Sequence, residues 1–107
     1  MTLSKRISDI ARKHLLGEDS RHELEELRRY FSVYGPINFD YHREDGIIVA
    51  VSTDFRHGTI ITNGRNELEL DRNIRDAILS MFGVSSAFQK EAGIHNVNDH
   101  RYAYVAA

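Results

Sequence analysis

Four aspartates, Asp40, Asp54, Asp71 and Asp76, are the residues best suited by type to hold a hard divalent cation. Phosphodiester hydrolysis uses clustered carboxylate oxygens to carry such a metal, so a metal-dependent nuclease is the enzymatic reading they allow. Each also has a role that needs no metal. Asp54 ends a strand and can cap the turn after it, while Asp71 and Asp76 fall on the polar side of a helix. Those roles are favoured, so no catalytic residue is assigned and the chain is read as non-enzymatic. Six histidines are present, His14, His22, His42, His57, His95 and His100. They include no His-x3-His pair and no His-Glu-x-x-His, so no helix face offers two metal ligands, and neither a metal nor another cofactor is expected. The chain has no cysteine, which removes disulfides, thiolate metal sites and cysteine nucleophiles. It also contains no P-loop, dinucleotide fingerprint or nucleophile elbow.

Binding chemistry is better represented. Arg56 and His57 lie at the tip of a loop between two strand-like segments, where a rigid scaffold presents its contacts. The strand after the loop is rich in β-branched residues and offers Ile60 and Thr62 beside a sheet edge, whose unpaired backbone groups can accept an added strand. Arg56, His57, Ile60 and Thr62 are therefore the candidate partner-binding surface, set against the plainer reading of a solvated loop. Lys5, Arg6, Arg12, Lys13, Arg21, Arg28 and Arg29 form a modest basic cluster, and Ile7 to Lys13 has the local look of a helix within a helix-turn-helix. Glu18, Glu23, Glu25 and Glu26 intervene, and Glu25 stands at helical spacing from Arg28 and Arg29, so a solvated, salt-bridged face is favoured. DNA binding is left open without support.

Bulk properties frame these residues. At 107 residues the chain is one domain with a modest core, and 41% hydrophobic with 28% charged residues is ordinary globular composition. A net charge of −2 gives no global basic field for nucleic acid. No apolar run approaches the roughly 18 residues that span a bilayer, and the N-terminus lacks a signal-peptide core. A cytoplasmic protein, without a membrane partner or an identified small-molecule substrate, is expected.

The elements that must position these residues can be read from periodicity. Residues 1–35 predict a helical pair that extends the same domain. Ser4 caps the first helix, with Leu3, Ile7, Ile10, Ala11, His14 and Leu15 on one face and Gly17 as its stop. Ser20 and Glu23 form a capping box for the second, whose stripe is Leu24, Leu27, Phe31 and Tyr34. Gly35-Pro36 ends it. Residues 36–107 form the core. Ile37, Phe39 and Tyr41 alternate with Asn38, Asp40 and His42, and Asp45-Gly46 supplies a type I′ turn into Ile47 to Ser52. A third strand is expected over Thr59 to Thr62, broken by Asn63-Gly64. A helix then starts at Asn66 with Glu69 as its capping partner, burying Leu70, Ile74, Ala77, Ile78 and Met81 and stopping at Gly83. A short helix from Ser85 or Ser86 to Gly93 and a last hairpin, Ile94 to Val97 with Arg101 to Val105 joined through Asn98-Asp99, complete the chain. The sum is an α+β fold, a two-layer sandwich with a mainly antiparallel sheet, a β-β-β-α-β core and an N-terminal helical pair.

Tyr41-His-Arg-Glu-Asp-Gly46, Val49-Ala-Val-Ser-Thr-Asp54, Ile61-Thr-Asn-Gly64 and Asn73-Ile-Arg-Asp-Ala77 together resemble the HicB-like antitoxin domain. The resemblance covers about Ile37 to Phe82. It implies a partly degenerate ribonuclease-H-like core that binds a small HicA-type RNase toxin and masks its active site. Many members of that family also carry a C-terminal helix-turn-helix or ribbon-helix-helix, whereas here only a strand-like tail follows Gly93. The loop after Ser52-Thr-Asp54, usually apolar in that family, reads Phe55-Arg-His-Gly58. Two functional readings follow. One is a non-enzymatic protein-binding module of the toxin–antitoxin kind. The other is a small homo-oligomer of structural or regulatory role whose interface is the N-terminal helices.

Overall fold

The computed structural model describes residues 21–98 and 102–106. The helix expected from Ser4, the Ser20 cap, the turn at Asp99, His14, His100 and the basic residues before Arg21 lie outside the described residues. The described elements are α1 (Arg21–Tyr34), β1 (Ile37–Glu44), β2 (Ile47–Ser52), β3 (Ile61–Gly64), α2 (Glu67–Met81), a 3-10 turn (Ser86–Phe88), α3 (Gln89–Ala92), β4 (His95–Asn96) and β5 (Tyr102–Val105). The fold is α+β. The strands form one antiparallel sheet in the order β3-β2-β1-β5-β4, so β5 returns to the free side of β1.

The hairpin between β1 and β2 closes as its sequence predicts. Asp45 and Gly46 both adopt positive φ, 51° and 83°, the requirement of a type I′ turn, and Glu44 pairs with Ile47 across it. The alternation then fixes the faces. Ile37 and Phe39 on β1, Ile48 and Ala50 on β2 and Tyr104 on β5 are buried on the helix-facing side. The opposite face carries exposed Asp40, His42 and Glu44 beside half-buried Ile47, Val49 and Val51. Tyr41, expected to share the burial of Phe39, is 49% exposed and stacks edge-on against Tyr102.

Helix α2 covers the core face with Leu70, Ile74, Ile78 and Leu79, all essentially inaccessible. Leu79 takes the place expected for Met81, which is 42% exposed at the helix end. Asn66 caps the helix, its Oδ1 accepting from the Glu69 amide at 2.8 Å. The Glu69 carboxylate turns instead to Arg65, accepting from its backbone amide and its guanidinium, and these bonds hold the Glu69 carboxyl below the usual range. Gly64 lets β3 touch the helix, because a Cβ there would overlap the backbone of Leu70. Gly83 ends the helix at φ 71°, with the Val84 amide returning to the Leu79 carbonyl.

Helix α1 lies beside the C-terminal end of α2 and shares its core. It buries Leu24, Leu27, Tyr30 and Phe31, while Tyr34 is half exposed. Tyr30 meets Phe82 at a ring separation of 5.4 Å, and Arg28 Nη2 donates to the Glu91 carbonyl at 2.7 Å rather than pairing with Glu25. Among the described residues no helix is long and apolar enough to cross a membrane.

Candidate functional site

The loop between β2 and β3 is held at both ends by the chain's own polar groups. At its base the Ser52 amide donates to the Ile60 carbonyl at 2.9 Å, and the Ile60 amide donates to the buried Ser52 Oγ at 2.8 Å. At its start the Asp54 carboxylate accepts from the Asn38 amide at 2.8 Å and from Asn38 Nδ2 at 2.7 Å, and the Thr53 amide donates to the Asn38 carbonyl. Asp54 therefore clamps the loop to β1, with its carboxylate on Asn38 of the neighbouring strand and not on the turn that follows it. Gly58, at φ 137°, takes the backbone through a conformation that L side chains rarely adopt.

Between these anchors the loop rests on aromatic rings. Phe55 is 7% exposed and packs against Tyr30 at 5.3 Å and Phe82 at 5.8 Å between ring centres. The Tyr30 hydroxyl accepts the Arg56 amide at 3.0 Å, so a helix side chain fixes the backbone of the loop tip. Above this floor the exposed imidazole of His57 sits 5.2 Å from Tyr30 and 5.7 Å from Phe82. The Arg56 guanidinium lies 4.8 Å from the centre of the Tyr34 ring, a cation–π arrangement that leaves its donors free for a partner. The result is an exposed Tyr34–Arg56–His57 patch whose backbone is fixed before any partner arrives.

Of the four residues expected to form the surface, Arg56 and His57 are exposed together in this patch. Ile60 and Thr62 turn inward. Ile60 is 3% exposed and belongs to the core, and Thr62 is half buried opposite Ala50 on the helix-facing side. The physical reason is phase: β3 begins at Ile61, and Gly64 must meet α2, so alternation sends Thr62 inward and Ile61 and Asn63 outward. Ile61, at 67% exposure, is the outward apolar residue of this strand. The edge is also partly closed, because Asn73 Nδ2 donates to the Asn63 carbonyl at 2.7 Å. The platform residues Tyr30, Tyr34 and Phe82 were not expected at the site. Tyr30 and Tyr34 stand four apart on α1, which marks them as neighbours on one helix face, but nothing local in the sequence joins them to the loop near residue 56.

Of the aspartates considered as metal ligands, Asp54 and Asp71 are engaged with different partners. Asp54 binds Asn38, Asp71 is held by Tyr104 and Arg75, and Asp40 is exposed on the opposite face of the sheet. Among the described residues no group of three or more histidine or acidic side chains is placed to hold a metal ion. No protein-family model, curated protein or solved structure matches the chain.

Proposed function

We propose that this chain is a non-enzymatic protein-binding module, similar in role to HicB-like antitoxins, that binds and masks a small HicA-type RNase toxin in the cytoplasm. The observation that carries the reading is the Arg56–His57 tip fixed on the Tyr30 floor and stacked against exposed Tyr34. Arginine and tyrosine dominate the energetic centres of protein interfaces, and a preformed tip avoids the ordering cost of a free loop. The bond from Asn73 to the Asn63 carbonyl blunts strand addition along β3, so recognition rests on the side chains of the patch rather than on the sheet edge. Co-expression of the tagged chain with the product of the adjacent reading frame tests this. A small protein that co-purifies with the wild type and is lost from Arg56→Glu/His57→Glu supports it; a neighbour that encodes no such protein, or equal capture by both, overturns it.

A second reading has its own observation. Val33 and Tyr34, at the end of α1, are 62% and 50% exposed, which favours a homo-oligomer that meets through the N-terminal helices. Light scattering separates the two: a wild-type dimer that becomes a monomer in Val33→Glu supports self-association, and a monomeric wild type removes it.

A further inference from the structure

On the flank of α2, Arg72 and Arg75 stand three residues apart beside the segment that runs from the 3-10 turn to β4. Together they line an open depression of about 670 Å³, closed on its other sides by Ser86, Gln89, Lys90 and His95. The volume falls within the range of small-molecule sites. Two arginines, a lysine and a histidine line this depression, and no carboxylate lines it, in a chain whose net charge is −2. Convergence of like charges is unfavourable unless an anion joins them.

Arg75 and His95 are each held in place by a neighbouring group. Arg75 is oriented from behind: its Nη2 forms an ion pair with Asp71 Oδ2 at 2.9 Å, and the other oxygen of that carboxylate accepts from the Tyr104 hydroxyl at 2.6 Å. Asp71 is thereby committed to positioning Arg75. The Nε of Arg75 is buried behind this contact and has no acceptor among the described residues, so only the outer nitrogens of its guanidinium can meet a ligand. The side chains of Arg72 and Lys90 make no hydrogen bond or ion pair among the described residues. His95 is set by its own turn: Gly93, at φ 63°, reverses the chain, and His95 Nδ1 donates to the Gly93 carbonyl at 2.7 Å. That bond fixes the ring and leaves Nε2 for a further contact.

We propose that this depression is a binding site for a small phosphorylated molecule, its phosphate held between Arg72, Arg75 and Lys90. A phosphate ester carries up to two charges and several acceptor oxygens, which the planar guanidinium forks match in pairs, while Ser86, Gln89 and His95 offer polar contacts to the rest of the ligand. A polynucleotide fits less well. Glu91 follows Lys90 directly and is exposed, which sets a carboxylate beside the cations that a polynucleotide backbone would have to follow. The site lies apart from Arg56 and His57 and does not rest on the protein-binding reading.

Titration of the isotopically labelled full chain with inorganic phosphate and with a nucleoside 5′-monophosphate tests the proposal by NMR. The expected result is saturable shifts of the amides from Ser86 to His95 and of the Arg72 and Arg75 Nε resonances, with the monophosphate bound at least as tightly as phosphate. Arg72→Gln/Lys90→Gln is expected to weaken both by on the order of tenfold or more, while Arg65→Gln and Arg56→Ala/His57→Ala bind as the wild type does. Thermal melts confirm that each variant is folded, and Lys90→Gln alone, on an exposed side chain, gives the same test in smaller measure. Absence of saturable shifts, equal binding by the wild type and the double variant, or tighter binding of an oligonucleotide than of the monophosphate at these residues overturns it.

Discussion

The Tyr104 hydroxyl donates a 2.6 Å hydrogen bond to Asp71 and so joins β5 to α2 at the margin of the core. Tyr104 is fully buried, and burial first and the Asp71 carboxylate second push its phenol far above the ordinary tyrosine range. Ionising it would place a buried anion beside the Asp71 carboxylate. A group whose folded pKa is raised adds stability that is complete below its unfolded value, about 10, and is lost as pH climbs towards the folded value. Stability from urea titration is expected to show no contribution from Tyr104 to its pH dependence up to about pH 9 and to fall in more alkaline solution. Tyr104→Phe removes the bond and should cost about 2 kcal/mol at neutral pH while flattening the alkaline fall. An unchanged alkaline slope in the variant would place its origin elsewhere.

Ile60 and Ile61 are adjacent and chemically identical, yet one is 3% and the other 67% exposed. Ile60→Ala empties a packed site and should lower stability by about 2–4 kcal/mol, whereas Ile61→Ala should change it by less than about 0.5 kcal/mol. Equal losses in the two variants would mean that β3 has the opposite phase.

That phase shows where the sequence stops being legible. The type I′ turn at Asp45-Gly46, the Asn66 cap and the Leu70–Ile74–Ile78 stripe each depend on residues within a few positions of one another, and all can be read locally. The direction of Thr62 depends on Gly64 meeting Leu70 across space, and a run of β-branched residues gives no sign of which side that is. The same limit applies to the site. Arg56 and His57 were visible as a loop tip, but the Tyr30 hydroxyl that fixes them is 26 residues away in sequence and on a helix. Arg72 and Lys90 likewise line one depression only because the chain turns back at Gly83 towards the flank of α2.

Gly64 makes a prediction that does not depend on backbone freedom. Its φ is ordinary, and the obstacle to a side chain is the Leu70 backbone against it. Because helix backbone cannot give way as a flexible side chain can, Gly64→Ala should destabilise by about 3 kcal/mol or more and shift α2 away from β3. Gly46→Ala meets no neighbour and carries only the strain of its positive φ, about 1 kcal/mol. Denaturant midpoints for the pair check the order, and a smaller loss at Gly64 than at Gly46 would contradict the close approach of strand and helix.

Tyr30 and Tyr34 separate the support of the patch from its contact. Tyr30 is 4% exposed and its hydroxyl accepts the Arg56 amide, so Tyr30→Phe keeps the ring packing but frees the loop tip. The variant is expected to lose about 1 kcal/mol of stability and to show faster hydrogen exchange at the Arg56 amide, with partner binding weakened modestly through the cost of re-ordering the tip. Tyr34 is half exposed and holds the Arg56 guanidinium from the side. Tyr34→Ala should leave stability within about 0.5 kcal/mol and the Arg56 amide as protected as in the wild type, yet weaken partner binding by about tenfold or more, since it removes both a contact ring and the support of the cation. A patch that acts as a binding surface requires this split. If Tyr34→Ala binds as the wild type does while Tyr30→Phe fails, the aromatic platform serves the fold, and the recognition surface lies on another part of the molecule.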